Sequence, residues 1–216
     1  MRLLYIADAR SPITLNWIRH FIDRGDEVHL VSSFPSEPPA GLAGFQTLPV
    51  AFSSAKRSSA GSASALGSAR LLGVRTAMRQ WLGPLTLRGA AASLRRIIHD
   101  LQPDLIHALR IPFEGMLAAE AHTGESPLVI SVWGNDFTLH GPSTPLMRHY
   151  TQWSLKAANA LHADCFRDIR LANQWGFDPG KPTLVIPTNG GLRTDIFHPP
   201  AQPVDHATLL QRQPVC

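Results

Sequence analysis

Short apolar runs along this chain exchange with longer segments in which apolar residues recur every three to four positions, the pattern of strands alternating with amphipathic helices. Leu3 to Ala7 is such a run, and Ser11-Pro12 follows as a helix cap with proline at the first helical position. The predicted helix carries Ile13, Leu15, Trp17, Ile18, Phe21 and Ile22 on one broad face, and Gly25 closes it as a left-handed cap. Glu27 to Ser32 is the second strand. A strand, a helix and a strand within about thirty residues make a parallel crossover unit. A third strand is predicted at Phe45 to Val50, beyond a Pro- and Gly-rich loop. Ser53 to Ser68 is small, polar and low in complexity, and it precedes two helical patterns. The first holds Leu71, Val74, Met78, Trp81 and Leu82; the second runs from Leu87 to Leu101 and stops at Gln102-Pro103.

Beyond that point the alternation continues. Strands are predicted at Leu105 to Leu109, Leu128 to Val132, Ala160 to Ala163 and Thr183 to Ile186. Between them lie helices from Phe113 to His122, from Thr144-Pro145 onward, and from Cys165 to Trp175 with Gly176 as its cap. With no internal repeat, this order predicts an α/β fold, a Rossmann-like doubly wound parallel sheet with helices on both faces.

Composition agrees with a packed domain: 44% of residues are hydrophobic and 17% charged, far from the balance that keeps a chain unfolded. Charge placement adds a second fact. From Pro38 to His99 there is no Asp or Glu, while Lys56, Arg57, Arg70, Arg75, Arg79, Arg88, Arg95 and Arg96 all fall inside, so an anionic partner is expected there. Arg75 and Arg79 beside Trp81 suit either an ordinary solvated face or an interfacial helix on anionic lipid. No nucleic-acid module is present, which leaves nucleic acid as the weakest partner. The two cysteines, Cys165 and Cys216, suggest neither a disulfide framework nor a zinc site, and the ten histidines lack paired metal-ligand spacing. The first apolar run is too short for a leader or a membrane span, so a cytoplasmic location is expected, and the interfacial reading of the basic helix adds peripheral attachment to the inner face of a membrane.

In a doubly wound sheet ligands bind beyond the carboxyl ends of the strands, and the loops at those ends are polar here. Asp8, Arg10, Ser11 and Asn16 follow the first strand; Arg110 and Glu114 follow the Leu105 strand. Trp133, Gly134, Asn135 and Asp136 follow the Leu128 strand, and Asn189, Gly190 and Arg193 follow the last. Asp136, in a Gly-Asn-Asp turn, is the candidate catalytic carboxylate, able to orient or deprotonate a hydroxyl. Arg110 and Glu114 are candidates for holding hydroxyls or phosphates, or else form an ion pair across one helical turn. His107 lies within an apolar strand, where a hydrogen-bonded core role is expected.

Five segments together resemble the N-terminal domain of family 4 retaining glycosyltransferases: RGDEVHLVS, PDLIHALRIPFEGMLAA, VSVWGNDF, WSLKAANALHAD and VIPTNGGLRTDIFHPP. The last carries Pro187, Asn189, Gly190, Asp195, Phe197 and Pro199 in the order of the family's domain-junction motif. The tryptophan-glycine-x-aspartate turn at Trp133 is similar to one subset of that family. In two places the chain departs from the pattern: Leu109 stands where many members have a histidine, and ADARSPITLNW replaces a glycine pair in the first loop. The resemblance implies one half of a type-B fold and transfer of a sugar from a nucleotide-sugar, a substrate and not a cofactor, to an acceptor hydroxyl. It implies an acceptor, a carbohydrate or a lipid-linked one, held by Arg110, Glu114, Trp133, Gly134 and Asn135 around Asp136. Arg10, Ser11 and Asn16 would face the donor phosphates, and Asn189, Gly190 and Arg193 would form the junction turn. Residues 1–198 are expected to be this domain and 199–216 a truncated linker without the family's donor-binding half. The chain alone is then expected to be inactive or weakly active, and the alternative is a non-catalytic membrane-associated or scaffolding subunit that recruits a separate donor-binding chain.

Overall fold

The computed structural model describes residues 1–53, 76–187 and 198. Most of the low-complexity stretch, Arg75, the junction residues Asn189, Gly190 and Arg193, and residues 199–216 lie outside the described residues.

Seven strands form one sheet in the order β3-β2-β1-β4-β5-β6-β7. They are β1 (Arg2–Ala7), β2 (Glu27–Ser32), β3 (Gly44–Thr47), β4 (Leu105–Leu109), β5 (Leu128–Val132), β6 (Ala160–Ala163) and β7 (Thr183–Val185). Every neighbouring pair is parallel. Parallel strands are buried on both faces, which is why β1, β4 and β5 read as near-continuous apolar runs. The helices are α1 (Pro12–Asp23), α2 (Leu87–Leu101), α3 (Met116–Ala121), α4 (Pro145–Ala157) and α5 (Phe166–Gln174). Residues 76–82 form a further helical stretch.

The two faces are covered unequally. On one face Leu87, Ala91, Leu94 and Ile98 of α2 pack with Met116 and Leu117 of α3, Met147 and Leu155 of α4 and Ala172 of α5 against Ile6, Ile106, Ala108 and Ile130. The other face holds a smaller cluster in which Ile18 of α1 meets Leu3, Tyr5, Val28, Leu30 and Leu109. Alternate residues of β4 serve opposite layers, Ala108 the larger and Leu109 the smaller, as the period of two in a strand requires.

Local chemistry sets the element ends. Pro12 opens α1 directly after Ser11, although the Ser11 side chain makes no capping bond. Gly25 follows the C-terminus with φ +87°, a conformation costly for other residues. Thr144 caps α4 by accepting from the Met147 N–H at 3.1 Å. The third strand is shorter than predicted, ending at Thr47. Pro49 has no N–H to extend a ladder, and the chain turns inward to bury Val50 and Ala51. The helix predicted from Phe113 begins at Met116 instead, because Pro112 has ψ 116° and Phe113 has φ 71°, both outside helical space.

Beneath the α1 layer a polar chain crosses three strands. His107 of β4 meets the Ser131 hydroxyl of β5 at 2.9 Å, Ser131 meets Nδ1 of His162 on β6 at 2.9 Å, and Nε2 of His162 meets the Ile186 carbonyl at 2.9 Å. A carbonyl only accepts, so His162 donates from Nε2, Ser131 donates to its Nδ1, and His107 donates from Nε2 to Ser131. Burial keeps both rings neutral, pushing His107 down to about 3 and lowering His162. Trp17 lies 5.6 Å from the first ring and 4.8 Å from the second. His107 is thus a hydrogen-bonded core residue.

Candidate functional site

The strand order reverses between β1 and β4, and the loops leaving these two strands diverge. Into that opening falls a cavity of about 390 Å³, lined by Asp8, Arg10 and Ser11 after β1, by Arg110 and Glu114 after β4, and by Trp133 and His140 after β5. Thr14 of α1, Phe34 after β2, Phe113 after β4 and Arg79 of the 76–82 helix also line it.

Arg110 is held from three sides. Its backbone has φ 119°, a region that side chains rarely adopt. From there the guanidinium lies 5.6 Å from the Trp133 ring, donates from Nη2 to Nε2 of His140 at 2.7 Å and approaches Oδ1 of Asp136 at 3.4 Å. His140 is able to accept because burial, and then the charges of Arg110 and Arg79, push its pKa down to about 4. The wide helical turn over residues 136–140 returns His140 to this place, with the Leu139 and His140 N–H groups both on the Asn135 carbonyl.

Asp136 has no exposed surface. Its Oδ2 accepts from the N–H of Ile111 at 3.2 Å and of Trp133 at 3.1 Å, so one carboxylate ties the β4 loop to the β5 loop. Burial raises its pKa to about 6 against the opposing pull of Arg110 and the two N–H groups. The sequence expectation of an aspartate aimed into the cleft therefore differs from the observed geometry, in which Asp136 stands behind Arg110 and shapes both loops. The bond to the Ile111 N–H also anchors the chain just ahead of Pro112 and Phe113, whose non-helical angles displace the start of α3.

Glu114 and Asp8 are the carboxyl groups that line the cavity, and Glu114 is the buried one. It is 4% exposed, takes a hydrogen bond from the Ser33 hydroxyl, and is pushed up to about 7 by burial despite Ser33, Arg110 and Arg79. A carboxyl near neutrality beside a cavity can hold a proton or accept one at working pH. On the opposite rim Arg10 is paired twice with Asp8, both at 2.9 Å, and stacks 3.7 Å from the Phe34 ring centre.

The remaining expected residues divide. Ser11 lines the cavity with Arg10, whereas Asn16 lies exposed further along α1. Gly134 and Asn135 are exposed and outside the lining; the Gly134 carbonyl is held by Arg167 at 2.9 Å, and Arg167 in turn pairs with buried Asp168 at 2.7 Å. Arg79, expected on an outward basic face, sits in the cavity wall 5.0 Å from the Phe34 ring and 4.8 Å from the Phe113 ring. Its neighbour Trp81 is 60% exposed. Sequence reasoning did not single out His140, Ser33, Phe34 or Thr14 for the site. Only their positions just beyond a strand end could have marked Ser33 and Phe34, and nothing local marks His140.

A doubly wound parallel sheet with a charged cavity at its strand-order reversal defines a Rossmann-like ligand-binding domain, here one half of a type-B glycosyltransferase fold. The chain belongs to the Glycosyl transferase 4-like family, whose sequence model matches residues 2–164. No curated protein matches it. Among solved structures it is similar to the UDP-N-acetylglucosamine 2-epimerase of Rickettsia bellii, with TM-score 0.54 and 9% identity over 87% of this chain and 45% of that one. It is likewise similar to the UDP-GlcNAc 2-epimerase of Methanocaldococcus jannaschii, with TM-score 0.50 and 9% identity over 85% and 45%. A third is a UDP-glucosyltransferase from Polygonum tinctorium capable of glucosylating indoxyl, with TM-score 0.50 and 12% identity over 85% and 51%. At such identities the likeness is one of fold, and the chain spans about half the length of these structures. No helix among the described residues is long and apolar enough to cross a membrane.

Proposed function

We propose that this chain is the acceptor-side half of a glycosyltransferase that moves a sugar from a nucleotide-sugar donor, held by a second Rossmann-like half, to a hydroxyl of an acceptor seated in the cavity between β1 and β4. The observation that supports this reading most is the meeting of Arg110 and Glu114 in a cavity at the strand-order reversal of a family member's sheet.

In this reading the protein's contribution is positional and electrostatic. Arg110, locked by Asp136, His140 and Trp133, fixes polar groups of the acceptor. Glu114 accepts a hydrogen bond from the attacking hydroxyl and takes its proton as the bond to the sugar forms. The leaving diphosphate approaches the rim at Arg10 and Ser11, where the first turn of α1 presents N–H groups. Asp136 is a positioning residue, acting through Arg110 and the two loop N–H groups.

The test joins the chain to a donor-binding domain and follows nucleotide release with and without acceptor. Acceptor-dependent release should fall at least about a hundredfold in Arg110→Ala and Glu114→Ala, the range expected for loss of a positioned acid-base or charge-stabilising group. Release that ignores both changes would favour the scaffolding subunit.

A further inference from the structure

Charges around the cavity do not balance. Asp8 answers Arg10 with two bonds at 2.9 Å, and Asp136 answers Arg110 from behind. Arg79 has no carboxylate within ion-pair distance among the described residues; its neighbours are the faces of Phe34 and Phe113. Its Nε is buried and lacks a hydrogen-bond partner among the described residues, as do the Trp133 Nε1 and the Thr14 hydroxyl, and all three residues line this same cavity. A buried N–H without a partner costs on the order of 1–3 kcal/mol, more when the group is charged. These two N–H groups and the hydroxyl are enclosed behind the wall, so the unanswered group on the cavity side is the positive charge that Arg79 brings to it. Burial lowers the Arg79 pKa; the charges of Glu114 and Asp8 oppose that shift, and those of Arg110 and Arg10 add to it.

We infer that the cavity recognises a phosphate monoester carried by the acceptor, with the Arg79 guanidinium as its cation and Arg110 beside it. This rests on the glycosyl-transfer reading, under which the cavity seats the acceptor and the opposite half holds the donor, whose diphosphate reaches only the rim at Arg10 and Ser11. A phosphoryl group fits the chemistry: its oxygens accept several hydrogen bonds, it is anionic at neutral pH, and a guanidinium flanked by two aromatic rings is pre-ordered to meet it.

The experiment titrates the full chain with glycerol 3-phosphate, sulfate, glycerol and uridine diphosphate, reading affinity by calorimetry and the Trp133 indole N–H by NMR. Glycerol 3-phosphate and sulfate should bind, glycerol should not, and added salt should weaken both anions. Arg79→Gln should weaken glycerol 3-phosphate about tenfold, the loss of one charge-assisted bond. Arg88→Gln, an exposed residue on α2, should leave binding unchanged. The inference is overturned if neither anion binds, if both variants weaken binding alike, or if only uridine diphosphate responds to Arg79→Gln, which would assign the site to the donor. Transfer to a neutral acceptor with no monoester binding removes this inference alone. Monoester binding without any transfer in the joined protein removes the glycosyl-transfer reading alone.

Discussion

Glu114 and Asp136 are both buried carboxyls, yet their surroundings give them different work. Two backbone N–H groups and a guanidinium surround Asp136, whereas Glu114 has the Ser33 hydroxyl and more distant cations. The raised pKa of Glu114 has a direct thermodynamic consequence. Unfolded, the group ionises near its ordinary value of 4.5; folded, it ionises near 7. Between those pH values the folded chain retains a proton that the unfolded chain has lost, so the stabilisation is complete below about 4.5 and disappears as pH rises through about 7. Glutamine stays neutral throughout. Urea titrations should therefore show Glu114→Gln gaining on the parent protein by about 3 kcal/mol between pH 4.5 and pH 8. A difference that does not change with pH would mean that Glu114 is ionised in the fold. Little of this was legible in the sequence. Arg110 and Glu114 stood out as polar residues after a strand, but whether they paired with each other depended on the reach of Asp136 from the neighbouring loop, which no local pattern encodes. Arg79 read as a surface cation because its helix is basic and amphipathic, and only the placement of Phe34 and Phe113 turns it inward.

At the scale of elements, the segment from Arg110 to Gly115 carries the cost of the site. Arg110 at φ 119° and Phe113 at φ 71° both occupy conformations that favour glycine. Backbone of this kind persists where surroundings over-determine it, at a cost on the order of 1–3 kcal/mol per residue. Both Arg110→Gly and Arg110→Ala delete the guanidinium, but only glycine relieves the backbone. Denaturant titration should place Arg110→Gly about 1 kcal/mol or more above Arg110→Ala, even after the greater chain entropy of unfolded glycine. Equal stabilities would show that the φ value is not strained. Regular elements were the most readable part of the chain. The predicted limits of β2, β4, β5 and β6 coincide with those observed, since each is an apolar run between turn residues. Errors arose where a proline or a distant side chain intervenes: Pro49 beyond β3, and Pro112 with Asp136 ahead of α3.

Across the whole molecule the uneven cover of the sheet sets a gradient of stability. β1 and β4 lie between paired neighbours and between two helical layers, whereas β7 pairs on one side only and leaves Leu184 53% exposed. Hydrogen exchange should find the amides of β1 and β4 opening only with global unfolding and those of β7 exchanging at least about a hundredfold faster. Uniform protection across the sheet would contradict this. The fold class itself was readable from the alternation of elements, because a right-handed crossover leaves few ways to arrange them.

The chain of polar contacts through His107, Ser131 and His162 runs sideways, from strand to strand, and so tells each strand where its neighbour must stop. Shifting β5 by one position would set Ile130 or Val132 against imidazole nitrogens that have nowhere else to bond. Arg110 comes directly after β4 and Trp133 directly after β5, so the same three side chains act as a spirit level for the cavity wall: a sheet paired out of step would lose their bonds and its cavity alignment together.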